Sequence, residues 1–389
     1  MPAFPNYDAS RLAELDEQWD AILQVFGGAG YQLAEPSVLQ PADIFLERSG
    51  EEIRHRTFAF SDPSGNELCL RPDITIPLCR MHVASAAKYP ARLCYNGLVF
   101  RHQPAEPERP TQFYQAGAEL LGLEDRASAE DEILSLAIGA LRAAGLDDFT
   151  LKLGDLSLFS AFVDALEIPP QWRSRLKRHF WRADYFDALL HNSARRKPSD
   201  AQRLLAHLGT LEPAEARSAF EGLLDLQGAV VQVGRTREEI IDRLIEQAAD
   251  AAALTLDSRI ASSIQWLLEI AGPANESLAK IRTLTKSARV PLDAPLAAME
   301  RRLEVLDDLG VDANRVGFAA RFGRNMEYYT GFVFELWSRD AEGPVQIAGG
   351  GRYDSLLEQL GAPRAVPAIG VAIRTERLLA ARRAQGTPR

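Results

Sequence analysis

Hydrophobic positions near the start of the chain fall at helical spacing, with Leu12, Leu15, Trp19, Ile22 and Phe26 recurring every three to four residues. Asp8 or Ser10 offers a cap before them and Gly27-Gly28 a stop after them, so the pattern predicts an amphipathic helix. From residue 31 to 146 the pattern changes to short apolar runs broken by Pro, Gly and Asp, including 68–70 and 93–100. These runs predict strands of one sheet, interleaved with helices near 74–88 and 127–144. A further strand at 150–153 leads into a helix and then Pro169-Pro170. Helix-forming text follows at 172–190, 201–207, 214–224, 237–253 and 258–271, and Gly272-Pro273 with Pro291 and Pro295 punctuate its end. After a helix at 296–309, strand signals return at 316–322, 327–337, 345–348 and 368–373, and a last helix begins at Thr375. Helix-only text between two stretches of sheet implies an α/β (α+β) domain carrying an inserted helical subdomain. The expected organisation is sheet-bearing parts at 1–168 and 291–380, an insertion at 169–290 and a tail at 381–389.

Composition narrows the class. At 389 residues and 46% hydrophobic content the chain can bury a full core. Its apolar stretches, such as 134–146 with Arg142 inside it, fall short of the roughly 20 residues a membrane span needs. The N-terminus lacks the basic start and apolar run of a secretory signal, so the cytosol is expected and no membrane partner. Cys69, Cys79 and Cys94 are odd in number and sit in apolar text, which suits reduced core thiols. The six histidines show no ligand spacing, so neither a metal nor another cofactor is expected. A net charge of −10 argues against a broad nucleic-acid face.

Four segments carry unusual chemistry. Residues 323–331 place Arg324, Glu327, Tyr328 and Tyr329 together before an apolar run, either as a surface strand with an aromatic pair or as the floor of a pocket. Strict alternation there would send Arg324 and Tyr328 to one face and Tyr329 to the other. In Arg71-Pro72-Asp73-Ile74-Thr75 a carboxylate and a hydroxyl two residues apart either accept from an ammonium group or start a helix. Phe100-Arg101-His102 is followed across a Pro-rich loop by a returning strand, in which Gln115 and Glu119 share a face because their separation is even. Gly349-Gly350-Gly351 before Arg352-Tyr353-Asp354 reads on its own as a turn.

Taken in this order, the segments resemble the catalytic domain of class II aminoacyl-tRNA synthetases of the histidyl type, over almost the whole chain up to Arg377. The resemblance implies a mostly antiparallel sheet flanked by helices, a homodimer core and a histidine pocket. It implies that Asp73, Thr75 and Gln115 receive the α-amino group, Asp73 being one methylene shorter than the usual Glu. Glu119, Tyr329 and Tyr353, with Tyr328 beside them, would surround the imidazole, whose two nitrogens call for both a donor and an acceptor. Arg324 would face the substrate carboxylate, and Arg101 would grip carboxylate or α-phosphate with its fork of donors.

The nucleotide half departs from that family's pattern. Phe100-Arg101-His102-Gln103 lacks the expected Glu, the following loop carries three prolines and two acids, and Thr111 replaces an arginine. Where the third motif should begin with Gly, the chain has Arg374-Thr375-Glu376-Arg377, so a long side chain is expected to crowd the adenine space, unless Arg374 turns away. Only twelve residues follow Arg377, too few for an anticodon-binding domain. These departures resemble the non-aminoacylating paralogues that serve as regulatory subunits of short-form ATP phosphoribosyltransferase. That resemblance implies a hetero-octamer with the catalytic subunit, feedback sensing of histidine, and no tRNA partner. The alternative is a truncated ligase that forms an aminoacyl-adenylate for a non-tRNA acceptor.

Overall fold

The structure, a computed structural model, describes residues 6–47, 55–103, 109–180, 186, 189–190, 200–227, 237–252, 256–322 and 328–386. Among the described residues twelve strands form two sheets: β1 (Gln32–Leu33), β2 (Leu39–Pro41), β3 (Phe58–Ser61), β4 (Glu67–Leu70), β5 (Ala91–Phe100), β6 (Gln112–Leu121), β7 (Thr150–Asp155), β8 (Ala271–Pro273), β9 (Val316–Ala319), β10 (Phe332–Asp340), β11 (Gly343–Arg352) and β12 (Ala368–Arg374). The larger has nine strands in the order β1-β5-β6-β12-β11-β10-β7-β9-β8. Its pairs are antiparallel except β1 with β5 and β7 with β9, in keeping with the expected mostly antiparallel sheet. Long hairpin partners such as β5 and β6 need only the short 101–111 connection, which antiparallel pairing permits.

Several elements differ from expectation. Residues 68–70 belong not to the main sheet but to a separate three-stranded one, where β4 lies between β2 and β3. Gly349-Gly350-Gly351 is not a turn; it runs straight near the end of β11, paired on both sides. The strand expected from 327 starts at Phe332, so the alternation inferred for Tyr328 and Tyr329 does not apply to them. The first helix, Ala9–Gly28, is capped by Asp8, whose Oδ1 accepts from Arg11 N at 2.8 Å. Its buried face is Leu15, Gln18, Ile22 and Phe26, while Leu12 is exposed. Gln18 replaces the apolar residue at that contact because its Nε2 donates to the Thr375 carbonyl at 2.9 Å.

By contacts the chain divides into two compact units, Met1–Ala161 with Leu267–Arg389, and Phe162–Trp266. In the first unit β8 pairs with β9, and the helix Ala274–Ala288 packs on that pair. In the second unit, helices Asp200–Leu208, Pro213–Gln227 and Arg237–Ala252 bury Leu208, Phe220, Ile241 and Ala248 in a small core of their own. Ion pairs of this unit, such as Arg217 with Asp242, lie on its surface. No helix among the described residues is long and apolar enough to cross a membrane. All three cysteines are free and buried, as expected of core thiols.

A buried ionic network ties the first unit together. Glu130, on the helix Arg126–Ala143, accepts from Arg302 Nε at 2.8 Å and from Arg352 Nε at 3.0 Å. Arg302 also donates to Asp155 at 2.7 Å and lies over the Phe332 ring. Arg352 donates to Asp354 at 3.0 Å and to the Arg126 carbonyl at 2.7 Å. Two guanidiniums share this carboxylate, so removing Glu130 leaves each buried cation with one carboxylate, Asp155 or Asp354, and an Nε donor without its partner. Glu130→Ala is expected to cost about 3–5 kcal/mol in urea unfolding. Arg315→Ala, which breaks an exposed pair with Asp148, should cost less than about 1 kcal/mol. Equal losses for the two variants would show that the network contributes no more than a surface pair.

Candidate functional site

Strands β6 and β12 build a cleft on one face of the main sheet. Alternation places Phe113, Gln115, Gly117 and Glu119 of β6 on that face. Registered beside them are Gly370 opposite Glu119, Ala372 opposite Gly117, and Arg374 opposite Gln115. Gly349 and Gly351 of β11 continue the rows. The centre of the sheet thus presents a floor of Gly and Ala, and the cleft of about 510 Å³ exists because those positions carry almost no side chain. Three of these glycines are sterically required, Gly351 because a Cβ there would lie 2.7 Å from the Phe332 carbonyl oxygen. A Cβ on Gly370 would lie 1.6 Å from Glu119 Oε2, and one on Gly117 would lie 2.4 Å from the Tyr95 hydroxyl.

Asp73, Thr75, Arg101, Gln115, Glu119, Tyr328, Tyr329 and Tyr353 all line this cleft. Arg324 lies outside the described residues. Glu119, 1% exposed, accepts from three hydroxyls: Thr75 Oγ1 at 2.7 Å, Tyr95 Oη at 3.3 Å and Tyr353 Oη. Burial pushes its carboxyl up to about 7, while the hydroxyl donors from Thr75 and Tyr353 pull the other way and the nearby Asp73 adds to the rise. Tyr328 stacks obliquely on Tyr329, with ring centroids 4.8 Å apart, and meets Tyr353 edge-on at 5.7 Å.

Next to this end lies a pair of unsatisfied acceptors. Asp73 starts the helix Thr75–Ala84, and its Oδ1 accepts from Ile76 N at 3.1 Å. The helix-start reading therefore holds, while Oδ2 is buried without a hydrogen-bond partner. Gln115 Oε1 is likewise buried without a partner. Burial raises the Asp73 carboxyl above its ordinary range, and the Arg101 guanidinium moderates the rise. An ammonium group in the cleft would satisfy such acceptors and repay their desolvation.

Sequence reasoning missed Tyr95, Gly117 and Gly370. Tyr95 sits on β5 at the register of Gly117, and its ring crosses the space a side chain there would fill. No local pattern pairs Gly370 with Glu119, since they meet only through the β6–β12 register. At the opposite end Arg374 does not turn away: it lines the cleft with its guanidinium 4.7 Å from the Phe113 ring centroid. Arg101 lies 5.4 Å from the same ring and donates from Nε to the Pro72 carbonyl at 2.7 Å. Arg377 donates to the Gln346 carbonyl at 3.1 Å, and the acidic loop residues Glu106 and Glu108 lie outside the described residues.

A histidyl-tRNA synthetase family model matches residues 6–259 and 232–378. A protein of Allorhizobium ampelinum called ATP phosphoribosyltransferase regulatory subunit is 35% identical over 93% of this chain and 96% of its own length. One of the same name from Mesorhizobium japonicum is 35% identical, over 93% of this chain and 96% of its own. The chain belongs to the family of ATP phosphoribosyltransferase regulatory subunits. Among solved structures, an ATP phosphoribosyltransferase regulatory subunit/histidyl-tRNA synthetase from Bacillus halodurans shares this family's fold, with a TM-score of 0.65 at 24% identity, over 98% of this chain and 83% of that one. A histidine–tRNA ligase subunit from Alicyclobacillus acidocaldarius matches with a TM-score of 0.58 at 25% identity, over 99% and 97%. The class II synthetase-like fold expected from the motifs is thus the fold of this regulatory-subunit family.

The raised carboxyl of Glu119 has a consequence for stability. Between the ordinary value of 4.5 and about 7 the folded chain holds a proton that the unfolded chain has released. Stability from this group is therefore greatest below the ordinary value and falls as pH rises, by up to about 1.4 kcal/mol per pH unit, levelling off above the folded value. Glu119→Gln keeps a hydrogen-bonding side chain but cannot titrate. In urea unfolding across this range, the wild type minus Glu119→Gln difference should slope downward with pH, whereas parallel profiles would contradict the assigned burial.

Proposed function

We propose that this chain acts without catalysis of its own as the regulatory subunit of a short-form ATP phosphoribosyltransferase, and that its cleft binds free histidine as the feedback signal. The names of its relatives support the first half of this reading. The observation that carries the second is the pair of buried, unsatisfied acceptors, Asp73 Oδ2 and Gln115 Oε1, beside the Glu119 carboxylate and its phenols. The acceptors suit an α-ammonium. Glu119 suits an imidazole N–H, with Tyr329 and Tyr353 beside the ring. Arg101 is the cation on the cleft wall for the α-carboxylate, and Arg324 is assigned the same partner by its motif.

Regulation then follows from linkage. Histidine must bind the inhibited and active forms of the complex unequally, since a ligand of equal affinity for both shifts nothing. A useful coupling is about 1–3 kcal/mol. In this reading two chains form a homodimer core that joins catalytic subunits in a cytoplasmic hetero-octamer, activates them, and takes up no tRNA.

Calorimetric titration of the purified chain should show heat with histidine and none with ATP. Asp73→Asn retains an oxygen for the Ile76 N–H but removes the charge, and should weaken histidine at least about tenfold, as expected for a charge-assisted hydrogen bond. In the reconstituted complex the same variant should lose histidine inhibition while still activating the catalytic subunit. No histidine heat, or unchanged affinity in Asp73→Asn, refutes the site assignment. ATP-dependent pyrophosphate exchange would point instead to an adenylate-forming ligase.

A further inference from the structure

On β11 one extra residue changes which side chains face the cleft. Gly349 lies on the cleft face, and strict alternation would turn Gln346, three residues away, to the back of the sheet. The β10–β11 register shifts between Leu336 and Trp337, so that Ala348 pairs with Leu336 but Gln346 with Trp337. This bulge at Ile347 brings Gln346 round to the cleft, which it lines. Glu335, opposite Gly349, and Trp337, two residues on, share that face. Their side chains meet there: Glu335 accepts from Gln346 Nε2 at 3.0 Å through Oε1 and from Trp337 Nε1 at 2.9 Å through Oε2.

An ionised carboxylate only accepts hydrogen bonds, so Glu335 fixes which end of the Gln346 amide is nitrogen. Trp337 in turn holds the carboxylate, and Arg377 Nη1 donates to the Gln346 carbonyl at 3.1 Å, anchoring the backbone. The bond to Glu335 uses one of the two amide N–H groups; among the described residues the Gln346 side chain makes no other hydrogen bond. On the cleft wall it joins Arg101 and Arg374, the cations that would draw a ligand's acid group. We propose that Gln346 is a ligand-binding residue that gives its second N–H to the α-carboxylate of an amino acid, and that Glu335 is its positioning residue. The inference rests on the reading of the inner end as the place for the α-ammonium group and the side chain. Unlike the guanidiniums, this donor carries no charge, so it contributes through its fixed direction and not by long-range attraction.

Histidine and histamine, the same molecule without the carboxylate, are the paired probes. They are titrated calorimetrically into the wild type, Gln346→Leu and Glu335→Gln. Loss of a hydrogen bond to a charged group should make Gln346→Leu bind histidine about tenfold more weakly, with histamine affinity unchanged. Glu335→Gln should shift histidine in the same direction by less, because the Gln346 amide keeps its donor but loses its fixed orientation. Unchanged histidine affinity in Gln346→Leu overturns the proposal, and so does an equal loss for both ligands, which would mark a merely structural role. If histamine gives no heat with the wild type, the urea midpoint of the empty protein takes its place: a loss of histidine affinity with an unchanged midpoint supports the contact, and a loss with a lowered midpoint overturns it. Because Gln346 is half-buried, Gln346→Met, which keeps the length of the side chain without its donor, serves in the same comparison if the leucine variant does not fold. Absence of wild-type histidine heat removes the amino-acid reading and this inference with it, whereas wild-type heat that Gln346→Leu leaves unaltered removes this inference alone.

Discussion

A carboxylate buried on the third strand of a nine-stranded sheet is the constraint around which this cleft is arranged. Glu119 sits with its oxygens over Gly370, and any Cβ at that glycine would collide with them. An ionised or protonated carboxyl in that position is tolerable only if its lone pairs are used, and Thr75, Tyr95 and Tyr353 supply three hydroxyls. Those donors come from a helix start, from β5 and from the end of β11. The requirement of one buried side chain therefore links elements far apart in the chain. Gly117 follows from the same requirement, since the Tyr95 ring reaches Glu119 across its empty side-chain position.

The cleft is held from behind as well. Arg352 enters the ionic network around Glu130, and the next residue, Tyr353, points its hydroxyl to Glu119. The Arg352 carbonyl accepts from Thr330 N at 2.8 Å, and Asp354 N donates to Thr330 Oγ1 at 3.0 Å. Thr330 directly follows Tyr328 and Tyr329, so the segment bearing those two rings is pinned to the segment bearing Tyr353. Displacement of Tyr353 by a ligand would be felt in both the tyrosine segment and the buried ions.

The two ends of the cleft obey different physics. The inner end is polar and incompletely satisfied, with Asp73 Oδ2 and Gln115 Oε1 buried and unbonded, which favours a ligand that donates hydrogen bonds. At the outer end, the Arg101 and Arg374 guanidiniums lie over the Phe113 ring.

Much of this was legible in the chain. Apolar periodicity located the first helix, the antiparallel pair β5 and β6, and the helices between residues 200 and 252, because such patterns depend on near neighbours. Even spacing put Gln115 and Glu119 on one face, and motif resemblance named eight residues that do line one cleft. What could not be read depends on contacts between distant strands. Whether 68–70 joined the main sheet, whether Gly349-Gly350-Gly351 turned or ran straight, and which face of the first helix was buried were settled by pairing and packing partners far along the chain. Local sequence determined which segments were helix or strand and which side chains a strand groups together. Only the tertiary structure decided that Gly370 lies opposite Glu119 and that Arg374 lies on Phe113, because strand register between residues some 250 positions apart is set by the packing of the whole sheet rather than by any local pattern.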